Sequence, residues 1–297
     1  MHYTGLIYRP PFEAKSLLLQ VTSGCSHNKC SFCTMYTKVP FRVSPLSEVE
    51  EDLQEASACR PQTRRVFLEG GDAFCLSGDK LIRIAELVKR YLPNVSTIAM
   101  YASINNIRNK TDEELKALHE LGVDELNIGL ESGDDYALLY LNKGFTAREA
   151  RLQLDRLRAA GIHYGLNVIF GASGRDGRFK NARETAALVN YADPYLIFTG
   201  TIHADPGCKL YEDMKEGKFI ECTIREYLEE EKEFLELLEL THCKYFGLHP
   251  ANVVPMMGML PEHKERLMDR LIKAEQEIPA EAMDSVPLRF GEGGIAY

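Results

Sequence analysis

The chain has 297 residues, room for one large domain or two small ones with an ample buried core. Apolar residues make up 45% and charged residues 27%, with 13 Pro and 22 Gly, which excludes disordered, low-complexity and collagen-like classes. Lys plus Arg total 35 against 44 Asp plus Glu, and the resulting net charge of −9 disfavours a nucleic-acid partner. The longest apolar runs, SLLLQV and YLIF, are far too short to span a bilayer, so no membrane is expected. The N-terminus MHYTGLIYRPPFEAK has no charged start followed by an apolar stretch, so the expected compartment is the reducing cytoplasm. There the eight cysteines are not expected to form disulfides, and some need another explanation.

In chain order, apolar β-branched stretches alternate with amphipathic ones. Strands are predicted at Leu17–Thr22, Arg65–Glu69, Ser96–Ala102, Glu125–Leu130, Tyr164–Phe170 and Tyr195–Thr201, nearly continuous apolar runs of the kind covered on both faces. Helices are predicted between them at Ser44–Ala58, Asp79–Tyr91, Thr111–Leu121, Thr146–Ala160 and Lys180–Tyr191. Ser47–Glu50 and Thr111–Glu114 each fit a capping box, and Gly122 and Gly161 mark helix stops. This alternation predicts a parallel α/β sheet of six βα units between residues 17 and about 215. Two long helices follow, Ile224–Leu240 and Pro261–Ile278, joined by the loop HCKYFGLHPANVVPMMGM. The expected organisation is a core over 1–215 with a helical extension over 216–297 packed on it.

Three cysteines, Cys25, Cys30 and Cys33, fall in one short loop directly after the first strand, spaced C-x4-C-x2-C. Thiolates are soft ligands, suited to zinc or to an iron–sulfur cluster. A structural zinc wants four protein ligands, and a fourth would have to be His27 or one of Cys59, Cys75, Cys208, Cys222 and Cys243, which are scattered and form no C-x2-C pair. Three thiolates suggest instead a [4Fe–4S] cluster whose fourth iron is open. Three buried free cysteines are the plain alternative. The loop sits at the carboxyl end of a strand, where α/β proteins place their chemistry.

A C-x-x-C with an aromatic before its last Cys, following a first strand, resembles the radical S-adenosylmethionine (SAM) superfamily. The usual spacing there is C-x3-C-x2-C, and this chain has one extra residue in the first gap. GCSHNKCSFC together with YRPPFEAKSLLLQVT is similar to bacterial radical SAM proteins related to the anaerobic coproporphyrinogen oxidase and methylthiotransferase branches, down to LHPANVVPMMGMLPEHK. The resemblance implies a partial (β/α)6 barrel of the TIM type with a C-terminal helical extension. It also implies an anaerobic enzyme that cleaves SAM to a 5′-deoxyadenosyl radical, which takes hydrogen from a small-molecule substrate, with flavodoxin or ferredoxin as electron donor. A non-catalytic iron–sulfur or zinc protein for electron transfer or assembly is the rival reading.

The other strand ends agree with the resemblance. After the second strand, Gly70 and Gly71 let a ligand approach the backbone, and Asp72 can accept hydrogen bonds from an ammonium group, where the family holds the SAM amine. Glu131, ending the fourth strand, and Lys143, twelve positions on, match a SAM-contacting acceptor and a base for the SAM carboxylate. A solvated charge is the plain reading of Lys143. Asn167, a polar residue inside an apolar strand, must find partners if buried, and matches a ribose-contacting position. Ile169 would flank the adenine, as would Phe32 beside the cysteines, while Tyr36 would pack there or hydrogen-bond the cofactor. His27 reads as an outlying residue of the cysteine loop, and Cys208 as a small residue filling a turn. His249 and Asn252 are candidates for substrate contact if their loop covers the barrel mouth.

Overall fold

The computed structural model describes residues 1–287, so the last ten residues of the expected extension lie outside the described residues. After the first strand, β1 (Leu17–Gln20), the chain makes the short pair β2 (Thr22–Ser23) and β3 (Arg42–Val43), which brackets the cysteine loop. Then follow α1 (Leu46–Cys59), β4 (Arg65–Glu69), α2 (Gly78–Tyr91), β5 (Thr97–Ala102), α3 (Ile104–Arg108), α4 (Asp112–Glu120) and β6 (Val123–Glu131). Next come α5 (Asp135–Tyr140), α6 (Ala147–Ala160), β7 (His163–Phe170), α7 (Gly174–Ala192), β8 (Leu196–Thr201) and α8 (Lys209–Lys215). The C-terminal part contributes α9 (Ile224–Leu237), β9 (Cys243–Gly247), β10 (Met256–Leu260), α10 (Lys264–Glu277) and α11 (Ala280–Met283).

The main sheet runs β1-β4-β5-β6-β7-β8-β9-β10, parallel from β1 to β9, with β10 antiparallel to β9. Six of its strands belong to the predicted βα units, and no pairing of β1 with β10 closes the ladder among the described residues. The sheet curves: Arg65 on β4 reaches across β5 to Glu125 on β6, its guanidinium donating to both carboxylate oxygens at 2.8 and 2.7 Å. Arg65 also donates to Glu13 of the N-terminal lead-in, at 2.8 Å from Nε. These charges lie at the amino-terminal end of the barrel-like interior, where the half-buried guanidinium is satisfied by both carboxylates.

Thr111 and Glu114 form the predicted capping box, and Gly161 ends α6 in the left-handed conformation. Ser47 and Glu50 do not form one: Pro45 is the N-cap of α1, so Ser47 is already inside the first turn. Helix α7 starts at Gly174, six residues before the predicted Lys180, because packing of Asn181, Thr185 and Val189 against the sheet outweighs the poor propensity of Gly174 and Gly177. The larger correction concerns the segment read as a loop between the last two long helices. It forms the hairpin β9–β10 and adds two strands to the sheet, with Cys243 and Tyr245 fully buried. Helix α10 covers the outer edge of β10: Arg266 donates to the Met257 carbonyl at 3.3 Å and Arg270 to the Pro255 carbonyl at 2.9 Å. The Met259 amide donates to His263 Nδ1 at 2.9 Å, and its carbonyl accepts from the His263 amide at 2.7 Å. No helix among the described residues is long and apolar enough to cross a membrane.

Two buried glutamates hold α9 to the sheet. Glu230 accepts from the Gly171 amide at 2.8 Å and from Asn181 Nδ2 at 2.6 Å, and Glu231 accepts from the Tyr245 hydroxyl. Burial pushes the Glu231 carboxyl up from an ordinary 4.5 to about 7. The unfolded chain therefore gives up this proton at lower pH than the fold does, so folding is penalised as pH rises from about 4.5 to 7. Glu231→Gln keeps the acceptor for Tyr245 and removes the penalty. It is expected to be more stable than the parent at pH 8, by up to roughly 3 kcal/mol, and equal to it near pH 4. Urea titrations at the two pH values check this, and a variant no more stable than the parent at pH 8 contradicts it.

Candidate functional site

A cavity of about 540 Å³ opens at the carboxyl ends of the strands and is lined by Cys25, Cys30 and Cys33 together with Phe32 and Tyr36. Gly71, Asp72, Glu131, Lys143, Asn167 and Ile169 line the same cavity. The structure thus brings together every site residue anticipated from the sequence except Gly70 and the substrate-contact candidate Asn252. Gly70 does not face the cavity: a Cβ on it would lie 1.8 Å from Thr22 Oγ1, so its φ of 138° and bare Cα serve the close passage of β2. Gly71 is bare for a different reason. A Cβ there would meet the Tyr36 ring at 2.5 Å and the Cys25 Cβ at 3.0 Å, so this glycine seats the cysteine loop.

The cysteine loop is docked by the loop after β6. Ser31 takes the Leu141 carbonyl with its amide at 3.0 Å and the Tyr140 carbonyl with its hydroxyl at 2.8 Å. Asn142, in the left-handed conformation, donates to the Lys29 carbonyl at 2.8 Å. The Asn142 carbonyl in turn lies 2.7 Å from His27 Nε2, which must carry the proton because a carbonyl only accepts. His27 is thus a tether between the two loops, half-buried rather than free in solvent.

That docking brings Lys143 beside Cys30. Burial pushes the Cys25 thiol up and the Cys33 thiol up to about 11. Cys30 departs from them: burial opposes its ionisation, but Lys143 and His27 outweigh it and hold the thiol below its ordinary range. Lys143 itself donates to Glu131 Oε1 at 3.0 Å, each side chain only 9% exposed. Burial would lower the Lys143 pKa, yet Glu131 foremost raises it above its ordinary value. Glu131 reaches it because of a bulge between Gly129 and Glu131 and a positive φ of 71°, and a Cβ on Gly129 would sit 2.5 Å from Glu131 Oε1.

Asp72 is held by the cysteine loop and by the start of α3. Its Oδ2 accepts from Ser26 at 3.1 Å, from Ser103 at 3.3 Å and from Asn106, while Oδ1 is buried without a hydrogen-bond partner. Burial pushes this carboxyl up to about 6, against those hydrogen bonds. Tyr36 is buried with its ring edge-on to Tyr8 at 5.3 Å, and the half-buried Asn167 stands opposite Gly129 in the register of β6 and β7.

His249 lines the cavity, with Nδ1 accepting from the Ala251 amide at 3.1 Å, and burial holds its pKa down at about 4, so it is neutral at pH 7. Asn252 does not line it. Its carboxamide donates to the Thr199 and Gly247 carbonyls at 3.0 and 2.9 Å and so links β8 to β9. Cys208 is buried at the N-cap of α8, away from the cavity, in keeping with a turn-filling residue. Sequence reasoning missed Asn127, His203 and Asp205, which line the cavity, and Ser26, Ser103 and Asn106, which hold Asp72. Asn127 carried a usable signal, a polar residue inside an apolar strand, the same signal that singled out Asn167.

The profile of the Radical SAM superfamily matches residues 19–186, more than half of the chain. The chain belongs to the radical SAM superfamily. The cofactors of that family are a [4Fe–4S] cluster and SAM. The chain is similar to the heme chaperone HemW of Bacillus subtilis, 23% identical over 238 residues, 77% of this chain and 60% of that protein. It is also similar to the tRNA-2-methylthio-N(6)-dimethylallyladenosine synthase of Burkholderia pseudomallei, 24% identical over 234 residues, 72% of this chain and 50% of that one. The chain therefore spans only half to three fifths of the length of these curated relatives. Among solved structures, methylornithine synthase (PylB) superposes with a TM-score of 0.51 at 14% identity, covering 92% of this chain and 83% of that one. The methyltransferase TsrM from Kitasatospora setae, with cobalamin and [4Fe–4S] cluster bound, gives 0.52 at 14%, covering 68% and 39%. At such identity these structures establish the fold: a mostly parallel α/β sheet of the radical SAM type.

Proposed function

We propose that Cys25, Cys30 and Cys33 hold a [4Fe–4S] cluster and that Asp72, Glu131, Lys143, Asn167 and Ile169 bind SAM beside it. When bound, the pair supplies one-electron cleavage of SAM to methionine and a 5′-deoxyadenosyl radical able to take hydrogen from a small-molecule substrate. The observation that carries this reading is a single cavity lined by the three cysteines and by Asp72, whose Oδ1 is buried without a hydrogen-bond partner.

The donor set fits both groups. Among the described residues no three His, Cys, Asp or Glu side chains are grouped as a single metal ion requires, so the thiols suit a larger inorganic body better than zinc. Lys143 beside Cys30 offsets the negative charge of thiolate ligands. A buried carboxylate oxygen without a donor disfavours the free protein, and an ammonium placed against Asp72 Oδ1 relieves it. Lys143 has two donors left beyond its bond to Glu131 and can turn one to a carboxylate. Asn167 offers its carboxamide to a ribose, while Phe32, Tyr36 and Ile169 give the adenosyl end an apolar wall that keeps water out. An external one-electron donor such as flavodoxin or ferredoxin completes the scheme.

Dithionite-reduced, fully loaded protein is expected to convert SAM to 5′-deoxyadenosine and methionine, slowly without substrate and faster with it. Chromatography of the products measures this. If a loaded cluster shows no SAM-dependent spectral change and no deoxyadenosine is released, the protein is a non-catalytic carrier instead.

A further inference from the structure

The segment that carries the cysteines differs in charge from the rest of the chain. From Gly24 to Ser47 it holds Lys29, Lys38 and Arg42 and no acidic residue, in a chain with 44 Asp plus Glu and a net charge of −9. All three cations are exposed, and none of them is ion-paired among the described residues. The acidic residues next to this face in sequence, Glu48 on α1 and Asp79 on α2, mark its edges. The same segment exposes apolar surface: Phe41 is 41% and Val43 37% exposed, and Leu46 at the start of α1 is exposed as well. Apolar side chains left in water inside a ring of charge are the usual composition of a docking surface.

A groove beside the loop is lined by Phe41 and Val43 and, from the segment around the start of α2, by Leu76 and the exposed Lys80. Ser26 and Asn106 line this groove and also the cavity of the three cysteines. A wall one residue thick therefore separates the two, and Ser26 follows Cys25 directly in the chain. A molecule seated on the groove comes close to the cysteines from outside and leaves their cavity free.

We propose that this face, with Phe41 and Val43 at its centre and Lys38, Arg42 and Lys80 around them, docks a small acidic one-electron carrier protein. This rests on the reading that Cys25, Cys30 and Cys33 hold the cluster, and it gives the electron donor of that site its place. One electron leaves the reduced cofactor of the carrier and enters the cluster, and no bond is made or broken. Electron transfer falls off steeply with distance, so the donor must sit against the thinnest wall. An acidic carrier is repelled by a chain of charge −9 as a whole and is drawn to the one stretch where that charge is locally reversed. RNA fits less well, because a few cations around an apolar centre offer little to a chain of phosphates.

The test titrates the full, cluster-loaded chain with flavodoxin by calorimetry while salt is raised from about 50 to about 500 mM. Binding is expected in roughly the micromolar range at low salt and to weaken at least tenfold at high salt. Lys38→Glu with Arg42→Glu, and separately Phe41→Ser, are each expected to weaken it at least tenfold. The same variants should slow electron transfer from reduced flavodoxin to the cluster by a similar factor. Reduction by dithionite, which needs no docking, should stay as in the parent. Lys116→Glu with Arg148→Glu, an equal reversal of charge on α4 and α6, should change binding by no more than about twofold. Absent or salt-independent binding, or loop variants that bind and accept electrons like the parent, would each overturn the docking face. Transfer RNA bound through these residues more tightly than flavodoxin would overturn it in favour of an RNA surface. The salt titration needs no variant and stands even if a substitution misfolds. Flavodoxin binding with these dependences by a chain that takes up no iron would uphold the face and sink the reading of the cysteines.

Discussion

Replacing Cys25, Cys30 and Cys33 together by alanine is expected to abolish iron binding, against about four irons per chain in anaerobically reconstituted parent protein. The three thiols lie on one loop between β2 and β3 and line one cavity, so each is placed to contribute to the same site. Cys75 is the nearest rival in sequence to the strand ends, and it does not line that cavity. Single replacements separate the three. Cys30→Ala also strips Lys143 and His27 of an anionic neighbour, so it is expected to lose iron fastest under a chelator. The loop itself is held by Ser31, Asn142 and Gly71 rather than by the thiols, so the folded structure should survive. Iron analysis and the brown absorbance measure the first effect, and circular dichroism the second. A triple variant that assembles a normal cluster would falsify the ligand assignment.

Lys143→Met is expected to destabilise the fold by roughly 3–5 kcal/mol, because it leaves the buried Glu131 carboxylate without its partner. The pair is 3.0 Å apart with both side chains 9% exposed, so little solvent screening discounts it. Adding Glu131→Gln removes the stranded charge, and the double variant should recover much of the loss. Urea unfolding of the four members of this cycle gives the coupling directly. A Lys143→Met protein as stable as the parent would show that the two groups do not depend on each other. SAM affinity should fall in both variants, since both groups line the upper cavity, and cluster content should remain.

Much of this was legible in the sequence because the signals are local. Three cysteines within nine residues, two glycines before Asp72, and capping residues such as Thr111 and Glu114 each declare themselves within a turn or two. The six βα units follow from apolar runs of strand length between helical ones. What escaped depends on contacts distant in sequence. The partners of Asp72 come from the cysteine loop and from α3 with its N-cap, 31 to 46 residues away. The strand character of Cys243–Gly247 is set by pairing with β8, and its residues next to His249 and Pro250 read locally as a loop. The family resemblance assigned Glu131 and Lys143, twelve residues apart, each to SAM and not to one another. The structure shows the two bonded to each other, with Cys30 beside the lysine.

The way α10 seals β10 bears on how the molecule behaves in a crowded solution. An unpaired strand at the end of a sheet is an invitation to a neighbouring chain, which can add its own backbone and start an aggregate. On β10 the invitation is withdrawn: the Pro255 and Met257 carbonyls are taken by Arg270 and Arg266, and both polar groups of Met259 by His263. Pro255, just before the strand, has no amide hydrogen to offer at all. At the other end, the Tyr3 hydroxyl donates to the Leu18 carbonyl of β1 at 2.9 Å. A sheet whose ladder does not close among the described residues is thereby kept from growing sideways, and stripping α10 of its two arginines should show first as turbidity on storage at high concentration.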